Sequence, residues 1–425
     1  MSESFKTGKI HIAIIGAGAA GLFAAATALQ KGAQVTLFER NATPGQKLNL
    51  TGNGKCNFTN IDLDPMHFYP SKYVQPFLKH FDAEKIKSIF ASFGILSYTD
   101  KTGGLYPASQ RASTVTDALI QFITMNGGVL RCNSCVTGIE QTESKNFQVY
   151  TDKQPYEELF DSIILCCGGK ASPKTGSDGF GFRLARGFGH TVTRTYPVLV
   201  QLCSDSDLCK DCAGVRIKAN ATAYINEEYI KCEYGELQIT DYGLSGIMIF
   251  NLSRELSRFV EEGDNCRILV DFLPSLSLAE IPSFTTNRFE NIPSDSVIHI
   301  LEGVTNSKLA NAVLKARKGP PSLKITKENK NIIDSLLAEL KVWSFRITSH
   351  NGYGNAQATR GGVATSELTN ELESRIIPGL YFAGEMINVD GDCGGYNLHW
   401  AWMSASVAAE SAVKKGKRHD TNQSI

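Results

Sequence analysis

Runs of consecutive apolar residues mark the predicted strands at the start of the chain. Residues 10–15 (IHIAII) and 34–39 (QVTLFE) flank an alanine-rich stretch at 22–31. Because a strand buried on both faces is apolar throughout, this order predicts a strand–helix–strand unit with parallel strands. Similar runs at 161–167 and 380–383 predict two more buried strands.

The next stretch of the chain is polar and follows a helical period. Residues 61–130 predict helices at 83–93 and 114–125. A strand at 128–139 follows, and a hairpin then continues to Leu159. These elements extend the first unit rather than start a second domain.

The pattern changes after Pro197. Apolar and polar residues alternate over 198–273, which predicts an antiparallel sheet, and residues 295–342 turn helical. A last helix is predicted at about 398–415. We therefore expect an α/β, Rossmann-like domain that is split by an inserted β-rich plus helical lobe. In chain order, we expect residues 1–196 to form the first part of the domain, 197–349 the lobe, and 350–425 the second part of the domain.

Three glycines join the first predicted strand to the first helix. Gly16, Gly18 and Gly21 form G-x-G-x-x-G, in which the glycines permit a tight turn, a close approach to a pyrophosphate, and close packing of helix on strand. Glu39 ends the second strand, where a carboxylate accepts hydrogen bonds from ribose hydroxyls. The same fingerprint serves NAD and FAD.

The residues after Glu39 distinguish these two cofactors. A polar, glycine-rich loop at 44–60 replaces a direct run into a third strand, and such a loop is more often functional than structural. Its Lys47 can reach a phosphate, and its amides can line a flavin. The predicted cofactor contacts from this half of the chain are Gly16, Gly18, Ala20, Gly21, Glu39, Arg40, Gln46 and Lys47.

Four ordered motifs resemble a bacterial family of FAD-binding flavoproteins. They are GQKLNLTGNGKCNFTN (45–60), CCGGKASPKTGSDGFGFRLARGFGH (166–190), GELQITDYGLSG (235–246) and PGLYFAGEMINVDGDCGGYNLHWAW (378–402). Members of this family are described as bile-acid-pathway flavoproteins, aminoacetone-oxidase-like enzymes and ribosomal RNA dihydrouridine synthases. Two positions depart from the pattern: Lys55 stands where Arg is usual, and Asp241 stands where many members have His.

The resemblance implies roles for the C-terminal motif. Gly384 and Glu385 would contact the ribityl chain and pyrophosphate of FAD. Gly394, Gly395, Tyr396 and Asn397 would start the last helix beneath the pyrimidine ring, where helix N-terminal amides stabilise the negative charge of reduced flavin. Val136 would lie against the adenine. The remaining implied contacts are Gly168 and Gly169.

Three residues are candidates for the chemistry itself. Cys56 and Cys393 lie in loops expected near the isoalloxazine, where a thiol can donate a proton; the alternative is that they only pack. Arg360 can polarise a substrate carbonyl, and its alternative is a surface salt bridge. Cys132/Cys135 and Cys209/Cys212 have zinc-like spacing, but buried thiols are favoured over a metal site.

The resemblance favours NADH- or NADPH-driven reduction of a C=C bond conjugated to a carbonyl, in a steroid-like enone or a similar small molecule. Three alternatives stay open: a ribosomal RNA dihydrouridine synthase, an amine oxidase that uses O₂, and a flavin-binding redox sensor without turnover. For RNA the main support is a stretch at 308–330 with seven basic residues and one acid. The inserted lobe is expected to cover the reacting face of the flavin and to select the substrate.

Composition narrows the remaining classes. The 425-residue chain has 43 basic and 43 acidic residues, which argues against binding nucleic acid over the whole surface. Its eleven cysteines favour reduced thiols in the cytoplasm over a secreted disulfide framework. The apolar run at 10–29 is broken by glycines, so we interpret it as strand, turn and helix rather than as a targeting or membrane segment.

Overall fold

The computed structural model describes residues 9–152, 156–292, 296–318, 323–324, 326 and 330–422, with side chains to residue 416. The chain divides into two compact units. One contains the residues up to Tyr196 together with those from Ala358 onwards, and the other runs from Pro197 to Gln357. Each unit has its own hydrophobic core.

A five-stranded parallel sheet is the centre of the first unit. Its three inner strands, His11–Ile15, Gln34–Phe38 and Ser162–Leu165, are almost fully buried, as the apolar runs predict. Numbered along the chain, the strands are ordered 5-4-1-2-3, which is a Rossmann-like order. Across the sheet they are Leu380–Phe382, Ser162–Leu165, His11–Ile15, Gln34–Phe38 and Val129–Arg131.

Two helices pack against each other in this unit. The first helix, Ala19–Gln30, is built mostly of buried alanines, whose small side chains allow close approach to the last helix, Tyr396–Asn422. The other helices are Gln46–Gly54, Ser71–Leu78, Ala83–Ser92, Ala112–Met125 and Phe180–Gly187. The same unit also contains short antiparallel sheets. One is formed by Thr59–Asn60, Gly104–Pro107 and Ser97–Thr99, another by Phe68–Tyr69 and Asp390–Gly391, and another by Val136–Gln141 and Phe147–Thr151.

A closed antiparallel barrel forms the second unit. Alternate residues of its strands are buried, as the alternating pattern at 198–273 predicts. The strands, in order around the barrel, are Leu202–Ser204, Gly243–Ser245, Glu228–Thr240, Arg216–Ile225, Cys266–Asp271 and Trp343–His350. The helices are Asp207–Asp211, Ile247–Glu262, Ile281–Asn291, Val297–Glu302, Ser307–Ala316, Lys330–Leu340 and Gly352–Asn355. The predicted fold class, a split Rossmann-like domain with an inserted β-rich and helical lobe, is confirmed.

Local details differ from the sequence expectation in three places. The loop at 44–60 contains a helix from Gln46, kinked at Thr51–Asn53. The strand predicted at 128–139 is interrupted, so Cys132 and Cys135 lie between two strands rather than within one. The second unit ends at Gln357, because the last barrel strand is followed by a short helix and Gln357 donates its amide to Leu199 O.

Candidate cofactor-binding and active site

The glycine turn between the first strand and the first helix is fixed by contact of backbone on backbone. Gly16 has a φ of +98°, and its amide donates to Phe38 O. A Cβ on Gly21 would lie 1.8 Å from Gly16 O, so only glycine fits there. A Cβ on Gly18 would meet no atom within 4 Å, so the N-terminus of the first helix faces open space.

Glu39 stabilises this turn through hydrogen bonds to backbone amides. Its buried carboxylate accepts hydrogen bonds from the amides of Ala17 and Asn41, each at 2.9 Å. The neighbouring Arg40 forms an ion pair with Asp178 at 2.7 Å. Glu39 therefore shapes the turn itself, and each carboxylate oxygen still has a lone pair for a ribose hydroxyl.

Lys47 and Glu385 meet although 338 residues separate them. Lys47 Nζ lies 2.6 Å from Glu385 Oε2, and Glu385 Oε1 accepts the amide of Thr359 at 2.9 Å. Both side chains of the ion pair are partly buried. The helix after Gly45 and the turn after Gly384 are thereby held at one place.

Thr359 also holds the segment that contains Gly168 and Gly169. Its Oγ1 accepts the amides of Lys170 and Ala171 at 2.8 and 3.0 Å. A Cβ on Gly169 would lie 2.5 Å from that oxygen, which excludes any larger residue. Sequence patterns indicate each of these segments separately, but Thr359 was not among the predicted site residues.

The last helix fixes Gly384 from the other side. Gly384 donates its amide to Ser404 Oγ, and Gly384 O accepts from Trp400 Nε1 at 3.1 Å. Its φ is +66°, and a Cβ there would lie 2.9 Å from Ala20 Cβ. The predicted contacts Ala20 and Gly384 are therefore neighbours, and close packing of the first helix requires both to be small.

The turn before the last helix packs on the segment at 57–60. Asn60 Nδ2 donates to Gly394 O at 3.0 Å, and a Cβ on Gly395 would lie 2.6 Å from Thr59 O. Asn397 closes the same turn, since its side chain both accepts from Gly391 N and donates to Gly391 O. Asn57 Oδ1 lies beside Gly395 and is buried without a hydrogen-bond partner among the described residues.

The two candidate thiols have different surroundings. Cys56 is fully buried and has a φ of +60°, and burial raises its pKa to about 12. Cys393 is half-buried, and burial, with a smaller contribution from Asp392, raises its pKa to about 11. Both are therefore protonated near neutral pH, but only Cys393 has an exposed fraction. The geometry favours Cys393 over Cys56 as a proton donor.

Arg360 forms a largely buried ion pair with Asp390. This differs from the surface salt bridge that was the alternative from the sequence. Its Nε and Nη2 donate to the two carboxylate oxygens of Asp390 at 2.9 and 3.1 Å. The side chains are only 14% and 1% exposed. The guanidinium also lies over the Tyr69 ring, 4.5 Å from its centroid. Two-point pairing and stacking together fix the plane of the cation.

His67 belongs to the same region, and sequence reasoning missed it. Its Nδ1 lies 3.0 Å from Asp392 Oδ2 and its Nε2 lies 3.3 Å from Asp62 Oδ2. The ring stacks on Tyr396 at 4.4 Å between centroids. The hydrogen bond to Asp392 raises the pKa of His67 above its ordinary value. No sequence signal could have found this pair, because 325 residues separate its members.

His399 is buried in the last helix and has the opposite character. Its Nδ1 lies 2.8 Å from Thr59 Oγ1 and its Nε2 lies 3.0 Å from Phe81 O. A carbonyl can only accept, so Nε2 carries the proton and Nδ1 accepts from the hydroxyl. Burial lowers the pKa of His399 to about 4. Its role is therefore structural.

Two further predicted cofactor contacts are Val136 and Gln46. Val136 is buried at the start of its strand, and Gln46 donates to Thr43 Oγ1 at 3.4 Å. Within the described parts of the chain, no three His, Cys, Asp or Glu side chains form a group suited to a metal ion.

Most of the first unit and the whole barrel unit match one known family. A family model described as the HI0933-like protein Rossmann domain covers residues 10–411. The chain belongs to the HI0933-like family. The resemblance drawn from the four sequence motifs is thereby confirmed.

Two curated relatives of this HI0933-like protein align over nearly their full length. The 3-dehydro-bile acid delta(4,6)-reductase of Clostridium scindens is 34% identical, with 95% of this chain and 99% of the relative covered. The ribosomal RNA dihydrouridine synthase of Escherichia coli is 28% identical, with 94% and 97% covered. The HI0933-like chain is accordingly an FAD-dependent oxidoreductase.

A solved structure shows the same fold at low identity. The 3-ketosteroid delta1-dehydrogenase from Sterolibacterium denitrificans, in complex with 1,4-androstadiene-3,17-dione, has a TM-score of 0.51 and is 12% identical. The alignment covers 96% of the HI0933-like chain and all of the dehydrogenase. Among the residues that the structure describes, no helix combines the length and apolarity needed to cross a membrane.

The residues of this HI0933-like chain fit the FAD that the family implies. The open space at Gly18 suits a diphosphate at a helix N-terminus, where free amides and the helix dipole favour negative charge. Asn57 Oδ1 is a buried acceptor for which the described residues supply no donor, and the N–H group of a flavin ring can supply one. Glu39, Lys47 and Glu385 would hold the remaining polar parts of the cofactor.

Proposed function

We propose that this protein uses NADH or NADPH to reduce a C=C bond conjugated to a carbonyl, in a steroid-like or similarly small enone. The observation that carries the proposal is the 34% identity, over nearly all of both chains, to an enzyme named for the reduction of bile acids. The neutral net charge agrees with an uncharged, apolar substrate better than with a polyanion.

In this proposal the chain binds and orients while FAD carries the electrons. When bound, FAD supplies the hydride that the nicotinamide has delivered to it. The first helix and Glu39 bind the dinucleotide part, and the amides at the start of the last helix stabilise negative charge on the ring.

Two side chains would act on the substrate. Arg360, held flat by Asp390 and Tyr69, would bind the carbonyl oxygen as negative charge develops on it. Cys393 would give its thiol proton to the α carbon and regain a proton from water. Because an enolate carbon is far more basic than a thiolate, a thiol pKa of about 11 still permits this transfer.

Anaerobic half-reactions test the proposal. Purified protein should be yellow and release FAD on denaturation, and NADH or NADPH should bleach the flavin. Adding an enone such as a 3-oxo-Δ4 steroid should restore the colour and yield the saturated ketone in equal amount. Reoxidation by air with a small amine, and none with any enone, would point to an oxidase instead. A flavin that no reductant bleaches would point to a flavin-binding protein without turnover instead.

A second candidate function is the modification of ribosomal RNA, favoured by the dihydrouridine synthase relatives. Its main support in this chain is the basic stretch at 308–330, of which residues 319–322, 325 and 327–329 lie outside the described residues. Lys315 pairs with Asp211 at 2.9 Å and Arg317 pairs with Glu339 at 2.5 Å, so part of the positive charge is balanced locally. Because this pairing and the neutral net charge weaken the support for RNA, we favour the small enone as the substrate.

Triple substitution separates the two candidates. Changing Lys315, Arg317 and Lys318 to alanine should leave enone turnover near that of wild type, since an apolar substrate gains little from these cations. If RNA is the substrate, the same change should weaken RNA binding and flatten its dependence on salt. A uridine product found in ribosomal RNA only when this protein is expressed would overturn our preference.

A further inference from the structure

The imidazole of His67 is held on three sides. Asp392 and Asp62 hydrogen-bond its two ring nitrogens, and the Tyr396 ring stacks on one face. Asp392 is 7% exposed at its side chain, whereas Asp62 is 67% exposed, so His67 joins a buried carboxylate to a solvated one. Since both nitrogens meet carboxylates, the bridge is complete only when both carry a proton.

The backbone makes His67 part of the turn before the last helix. Asp392 donates its amide to His67 O at 2.9 Å, and the neighbouring strands Phe68–Tyr69 and Asp390–Gly391 pair in antiparallel register. The turn continues through Cys393 to Gly395, which is the part of the chain assigned to the flavin ring. Movement of His67 would therefore move this turn.

We propose that His67 is a positioning residue for FAD, acting through Asp392 to fix the turn from Asp392 to Gly395. This inference rests on the proposed function, because FAD is the ligand that the turn would contact. The positive imidazole also counters the charge of the buried Asp392 carboxylate beside a site where negative charge develops.

If His67 fixes the turn only when its ring is charged, the affinity for FAD depends on pH in one direction. Asp392 and Asp62 face the imidazole, while burial and, to a smaller extent, the same two carboxylates raise the pKa of the Tyr396 phenol. Among the described residues, Asp392 and Asp62 are the charged groups that raise the pKa of His67, and burial opposes them. With its pKa raised, the bridge is complete below the ordinary histidine value and is lost as pH rises through the folded value.

The test is the dissociation constant of FAD, measured by fluorescence on reconstituted apoprotein from about pH 6 to about pH 9, which brackets the ordinary and raised histidine values. Wild type should bind FAD less tightly as pH rises. His67→Gln should bind about tenfold more weakly at the acid end, the ratio expected for one lost hydrogen bond between charged groups, and should be nearly independent of pH. Exposed His80 supplies the control, His80→Gln, which should behave as wild type.

Two further variants protect the test against simple unfolding. Asp62→Asn changes an exposed side chain and removes one of the groups that raise the pKa of His67, so it should move the pH dependence of binding to lower pH. His67→Gln combined with Asp392→Asn should regain part of the lost affinity, because the buried carboxylate loses its charge together with its counter-charge. A purely structural role for His67 gives neither result.

The outcomes separate this inference from the proposed function. If wild type binds no FAD at any pH, the cofactor assignment is wrong and the role of His67 falls with it. If wild type binds FAD, and His67→Gln binds it equally tightly with the same pH dependence, only the role of His67 is wrong.

Discussion

Arg360 and Asp390 form a two-point ion pair in which the carboxylate is almost fully buried. The pair lies at the end of a short ribbon strand and carries the Tyr69 ring against the guanidinium. Removing either partner leaves a charge in a poorly solvated place, whereas removing both does not. Breaking the pair is therefore expected to destabilise the fold, and this loss of stability must be separated from any loss of catalytic activity.

Arg360→Ala should lower the free energy of unfolding by about 3–5 kcal/mol, as expected when a buried charge loses its partner. Arg360→Met combined with Asp390→Leu should be less destabilised than that single variant, because no charge is left behind. Urea unfolding of the three proteins measures this difference. Equal stability of the single variant and wild type would show that the pair is solvated in solution.

Gly18→Val should abolish FAD binding but preserve the fold. A Cβ at Gly18 meets no protein atom within 4 Å, so the valine side chain would extend into the space assigned to the diphosphate. Denatured protein should release no FAD, while the far-UV circular dichroism spectrum stays that of wild type. Gly187→Ala, also with no atom within 4 Å, is the control and should retain the cofactor. A yellow Gly18→Val protein would exclude this diphosphate site.

Cys393→Ala should slow the reduction of substrate by about a hundredfold, the lower range for loss of a general acid, while nicotinamide still reduces the flavin. Cys56→Ala should leave both half-reactions near wild type, since Cys56 is fully buried and cannot meet a substrate. Stopped-flow measurement of each half-reaction tests the pair. If both variants turn over normally, the proton comes from another group.

His399 should make stability depend on pH in the acid range. Its pKa falls from 6.5 unfolded to about 4 folded, so the neutral ring is favoured by folding. The contribution is present above about pH 6.5 and is lost as pH falls towards 4, by on the order of 3 kcal/mol at about 1.4 kcal/mol per unit. His399→Gln keeps an amide donor for Phe81 O and should remove this dependence. Urea unfolding at several pH values measures it, and an unchanged slope would show that His399 is not the group responsible.

Local patterns in the sequence determined the fold class and the position of the dinucleotide turn. Apolar runs, the alternation at 198–273 and the glycines at 16, 18 and 21 depend on neighbours in the chain, because strand burial and glycine sterics are short-range properties. The same patterns did not show the helix that starts at Gln46, since its kink at Thr51–Asn53 breaks the period after one turn.

Only the tertiary structure decided which polar groups face one another. Lys47 meets Glu385, Arg360 meets Asp390, and His67 meets Asp392, and no periodicity links residues so far apart. The tertiary structure likewise buries Cys56 fully and leaves Cys393 partly exposed, although the sequence placed both in similar glycine-rich loops. Such pairs and exposures arise when folded segments come together, so their charge and proton chemistry are properties of the assembled site and not of any one segment.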